Sequence, residues 1–224
     1  MLVAASKSTT VAIAGAGALL ALVSMAQAFG EIVPYFASGV GDQQKFSAIV
    51  SGAFQPASSK WSRDLYLDDC LDVPRTIYAL AQPTAIRQRM LVACRENARK
   101  VLQTTPNASN AWLVLATTSA ALKDFATMRS ALAMSKRTAP NLQWLADRRS
   151  QLAEANATEL DDAGRADYEH DLTVLASGYL GVAVLAQRYV RSDELRETYL
   201  RILDAASPEQ KQRFLARVKS EMAS

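Results

Sequence analysis

The residues able to do chemistry are few. His170, in "YEHDL", is the sole histidine of 224 residues, which excludes a metal site built from several imidazoles. Lying between Glu169 and Asp171, it is expected to be a solvated surface group near a helix start rather than a catalytic base. Paired carboxylates occur at Asp68-Asp69 and Asp161-Asp162. Successive helical residues diverge by about 100° and do not face one another, so capping and the helix dipole explain such pairs at helix starts better than acid–base work does. The string "AGAGALL" imitates a phosphate loop only inside an apolar run. "NAS" at Asn107 and "NAT" at Asn156 match glycosylation acceptors, triplets that also arise by chance. These observations predict a non-enzyme with no catalytic residue, no cofactor and no bound metal.

Two cysteines remain, Cys70 and Cys94. A redox or zinc motif needs closer spacing or more ligands. In an oxidising compartment the pair is a candidate disulfide that closes a loop of about 25 residues, worth roughly 3 kcal/mol in the chain-entropy picture. Two unrelated buried thiols would give the same sequence.

The elements that must position these residues are helices. Glycine and proline number only 9 and 7, half of the residues are hydrophobic, and Ala, Leu, Gln and Arg recur. The expected fold class is all-α, with a core large enough for one medium domain. Before Glu31 the only charge is Lys7, and residues 8–30 form 23 uncharged positions. A basic flank, an apolar centre and "AQA" at 26–28 describe a signal peptide, residues 1–28, cut after Ala28. The run is equally long enough to be a transmembrane anchor. Either reading sends the rest of the chain out of the cytoplasm, into the periplasm, anchored or secreted. Residues 29–41, "FGEIVPYFASGVG", lack helical period and are expected to be a linker. The domain proper is then 42–224.

Without residues 1–28 the chain has 24 basic and 22 acidic residues, interspersed as in "RSDELRE" and "LADRRSQLAE". These are solvated helix faces, not a nucleic-acid footprint. A helix is predicted over 84–105, with Cys94 on its apolar side. Further helices start at Ser109, Asp124, Ser192 and Ser207, the last carrying a first-turn proline and a Ser-x-x-Gln capping box. The charge-free stretch 172–187 belongs to one long element over about 166–190. It is expected to be a buried central helix, with a second membrane crossing as the alternative.

"TTPNASNAW" at 104–112 and "RTAPNLQW" at 137–144 repeat Pro-Asn, a spacer and a tryptophan, with the prolines 34 positions apart. Between them lie a helix, a tight turn and a second helix, the period of a tetratricopeptide repeat (TPR). Residues 109–140 resemble that family. Trp112 and Leu115 occupy its large apolar positions, Ala116 its small one, Phe125 opens the second helix and Pro140 closes the unit. Ser119, Met128 and Ser135 depart from its pattern, and the likeness is partial over 84–155. The resemblance implies a short solenoid of antiparallel helix pairs with the C-terminal helices as a cap. It also implies a protein partner bound along the first helices, at Asn110, Leu113, Thr117 and Ala120. Trp112, Leu132, Trp144 and Leu145 are expected in the core.

The function expected is therefore a non-catalytic scaffold for protein–protein interaction in the cell envelope. The alternative is an accessory, membrane-anchored subunit of a polysaccharide or protein export or biosynthesis complex, packing through its N-terminal helix.

Overall fold

A computed structural model describes residues 7–38 and 40–223. Among these residues the chain is 84% helix, with twelve α-helices and no strand. It divides into two compact units, Met1–Met90 and Leu91–Ser224.

The first unit begins with α1 (Lys7–Ser38), followed by α2 (Asp42–Ser51), α3 (Lys60–Asp72) and α4 (Ile77–Leu80). Residues 29–38 are not a linker; they continue α1. Glu31 is what couples this extension to α3, because one carboxylate oxygen accepts from the Ser59 amide at 2.7 Å and the Ser58 hydroxyl at 2.9 Å. The other accepts from the Ser62 hydroxyl at 2.5 Å. An anion is thereby set against free amides at the positive end of a helix. Ser59 completes the cap by accepting from the Ser62 amide. Behind α3 the core holds Phe46, Ile49, Phe54, Tyr66 and Leu67, with edge-to-face contacts of Phe54 on Tyr66 and Phe46 on Tyr78. Asp69 lies within α3, not at its start, and pairs with Lys45 of α2 at 2.7 Å; burial still pushes its carboxyl upward.

Helix α5 (Thr84–Thr104) follows. Cys70 and Cys94 form a disulfide, and both are fully buried.

The second unit is built from α6 (Ser109–Ala121), α7 (Phe125–Thr138), α8 (Gln143–Ala155), α9 (Asp162–Ser177), α10 (Tyr179–Arg191), α11 (Arg196–Asp204) and α12 (Pro208–Met222). Helices α6 and α7 fold back on each other through Lys123, whose φ of 63° is the left-handed value a tight reversal needs. The Ser135 hydroxyl, near the end of α7, donates to the Ser109 carbonyl at the start of α6, 3.0 Å away. The two helices are therefore antiparallel. Asp124 caps α7, as expected, by accepting from the Thr127 amide. Ser207 and Gln210 form the expected capping box on α12. Ser109 is inside α6 rather than its cap, and Ser192 makes no capping hydrogen bond.

Residues 166–190 are not one helix. The chain breaks at Gly178, with φ −108° and ψ 149°, into α9 and α10. Gly181 sits so close to the end of α9 that an added Cβ would lie 2.2 Å from the Leu175 carbonyl oxygen. Leu172, Val174, Leu175, Val182 and Leu185 fill a core with Tyr199, Leu203, Phe214 and Val218 from α11 and α12. The charge-free stretch is thus bent, with one side buried under the C-terminal helices and Tyr179 and Leu180, at the bend, left exposed. Its apolar side chains are removed from water at about 25 cal/mol per Å².

Candidate docking surface

The four residues expected to line a partner groove face inward instead. Leu113, Asn110 and Ala120 are buried and Thr117 is half-buried, because α6 is enclosed rather than open along that side. The expectation for the tryptophans also changes. Leu145 is buried and Leu132 half-buried, but Trp144 is 44% exposed. Trp112 is half-buried, its indole N–H donating to the Pro106 carbonyl at 2.8 Å.

The second unit presents its largest apolar side chains at a different place. Gly178 leaves room for the Gln143 side chain, which occupies the position a Cβ would take and donates to the Val174 carbonyl. This contact brings the first turn of α8 beside the first turn of α10. Each carries exposed apolar residues next to it in sequence: Leu142 before and Trp144 after Gln143, Tyr179 and Leu180 after Gly178. Tyr179 is 76% and Leu180 72% exposed. Tyr179 and Leu180 continue into a cleft of about 420 Å³ between α10 and α12, walled by Val182, Ala183 and Ala216 and rimmed by Arg213 and Arg217. Arg213 pairs with Glu209 and Arg217 with Glu221 along α12. Trp, Tyr and Arg around an apolar centre are the types that dominate protein–protein hot spots.

What holds the corner rigid is a set of buried polar contacts that the sequence pattern concealed. Arg149 is fully buried; its guanidinium donates to both oxygens of Asp171 at 2.8 and 2.6 Å. The same group reaches the Ser135 and Ala139 carbonyls at the end of α7, so one side chain ties α7, α8 and α9. Burial pushes Asp171 upward and the Arg149 fork opposes that push. On the opposite side of α8, Arg188 donates to Asp147 and to Glu154. Glu154 also accepts from the hydroxyls of Tyr168 at 3.1 Å and Tyr199 at 2.8 Å. Burial and the nearby carboxylate raise both phenols.

A second cleft, about 300 Å³, opens between α7 and α9. Its ionic groups engage each other: Lys136 with Asp167 at 2.6 Å, Arg129 with Asp161 at 3.9 Å. Asp161 caps α9 by accepting from the Gly164 amide, the role expected of it. His170 is half-buried in the middle of α9, not solvated at its start, with Nε2 sealed from water. Among the described residues no three His, Cys, Asp or Glu side chains converge as metal ligands. Comparison with known protein families, with curated proteins and with solved structures finds no match.

Tyr179 and Leu180 carried a readable signal, since "SGYLG" places two large apolar residues between helix-weakening glycines. Trp144 carried none, because exposure depends on how α8 packs.

Proposed function

We propose that this chain is a non-catalytic scaffold of the cell envelope, TPR-like in its successive helix pairs, which docks a different protein at the α8–α10 corner. The observation that carries the reading is the exposure of Tyr179 and Leu180 at the mouth of the α10–α12 cleft, with exposed Trp144 next in sequence to the Gln143 side chain packed on Gly178. Such a surface favours a partner offering an aliphatic helix face or loop. Two features support the compartment. Helix α1 contains 22 residues, Val11–Ile32, apolar and long enough to cross a bilayer or serve as an export signal. The Cys70–Cys94 disulfide suits an oxidising environment such as the periplasm. In this reading α1 is retained as the tether.

The test is the size of the particle extracted from native membranes in mild detergent. The unaltered chain should migrate in an assembly larger than one copy, and Tyr179→Ser/Leu180→Ser should migrate as the free chain. Migration of the unaltered chain alone, or a variant that keeps the assembly, defeats the proposal. So does recovery of a second, differently tagged copy as the only companion.

The alternative, an accessory subunit of an export or biosynthesis complex, places the contacts on α1. It is favoured by one observation: α1 is uncovered from residue 11 to residue 30. Ala14→Leu/Ala18→Leu should dissolve the assembly under that reading and spare it under the first.

A further inference from the structure

We propose that Ile32, Tyr35, Phe36 and Trp61 form an interfacial seat that rests the first unit on the lipid bilayer at the headgroup level. The inference deepens the tether reading of α1 and rests on it.

The apolar stretch Val11–Ile32 has 22 residues, roughly 33 Å of helix against a hydrocarbon layer of about 30 Å. Tyr35 and Phe36 follow within one further turn of the same helix, so their rings fall about 5 Å beyond the hydrocarbon edge. That is the depth at which amphipathic aromatic rings are enriched. Both are well exposed, and their rings meet edge to face.

Trp61 reaches the same level from another element. It is the second residue of α3 and 67% exposed. The bonds from Ser58, Ser59 and Ser62 to Glu31 fix the start of α3 against α1. The four apolar side chains then line one cleft of about 560 Å³, whose remaining lining residues, Glu31, Ser59 and Ser62, are bonded to one another. Adjacent Lys60 pairs with Asp64 at 2.5 Å and keeps its side chain 83% exposed. A bilayer is the occupant chosen because Ile32, the first residue of the seat, is also the last of the apolar stretch of α1, and because Trp and Tyr suit a site with one apolar and one wet side.

The experiment uses the full chain in phosphatidylcholine–phosphatidylglycerol vesicles, with Trp112→Phe and Trp144→Phe leaving Trp61 as the emitter. Emission is read with lipid brominated near the headgroup end of the acyl chain and with lipid brominated at the bilayer centre. An alkaline carbonate wash followed by flotation reports retention. The seat predicts that the chain floats and that Trp61 emission is lost more to shallow than to central bromine. The same difference should appear when the emission of the unaltered chain is compared with that of Trp61→Phe, which covers the case in which the double variant misfolds. A chain that floats with Trp61 unquenched overturns the seat and leaves the tether standing, as does a blue-shifted emission without quenching. A chain washed off the vesicles overturns the tether and the seat with it.

Discussion

Arg149 and Asp171 show how much a single pair can decide. Removing one partner of a buried ion pair leaves a charge without compensation, which costs about 3–5 kcal/mol. Arg149→Met should lower the unfolding free energy read from urea titration by an amount in that range, while Arg149→Met combined with Asp171→Leu should recover a good part of it. A double variant as unstable as the single one would show that the pair does not hold α7, α8 and α9 together. Asp124 offers a test by pH. Its hydrogen bonds to Thr127 hold its carboxyl below the usual value, so the folded state binds the proton less well than the unfolded chain. The stability it supplies is complete above the unfolded value near ~3.9 and is lost as pH falls through the lower folded value. Asp124→Asn keeps the cap, and its melting temperature should therefore fall less steeply than that of the unaltered chain below about pH 4. At this scale the sequence is legible where the reason is local. Asp124, Asp161 and Ser207 announce themselves as caps, and the helical face of Cys94 points it inward. Arg149 is not legible, because "DRRS" offers nothing to separate it from Arg148; only the arrival of Asp171 from α9 does so.

Elements were legible where punctuation is strong. The hairpin of α6 and α7 follows from its turn at Lys123-Asp124 and the Pro-Asn repeat, and α5 from its apolar side. The break between α9 and α10 was marked only by the two glycines of "SGYLG" and was masked by the charge-free pattern that runs through them, 172–187. The extension of α1 through residues 29–38 was hidden for a similar reason, since Glu31 finds its partners in α3. Gly181 tests the bend. Because the obstacle is the Leu175 backbone rather than a movable side chain, Gly181→Ala should destabilise by about 1–3 kcal/mol in urea unfolding. Gly178→Ala displaces only the end of the flexible Gln143 side chain and should cost less. Equal losses would contradict the close approach of α10 to α9.

For the whole molecule, the all-α class and the apolar N-terminal helix were both readable, one from composition and the other from 23 uncharged residues. The proposed docking surface was not, because the residues that the resemblance placed on a groove, Asn110, Leu113 and Ala120, are buried. The mass of the chain recovered from its native membrane checks two parts of the account together. Retention of residues 1–28 is expected of a tether. A mass about 2 Da below that of the reduced chain is expected of the disulfide, which forms with loss of two hydrogens. The central claim, a docking surface at the α8–α10 corner, is tested most directly by photo-crosslinking in intact cells from positions 144 and 180, with position 89 of α5 as an exposed control. The account predicts one adduct of the same added mass from 144 and 180 and none from 89. No adduct from either position, an adduct weighing twice the chain, or equal crosslinking from all three would contradict it.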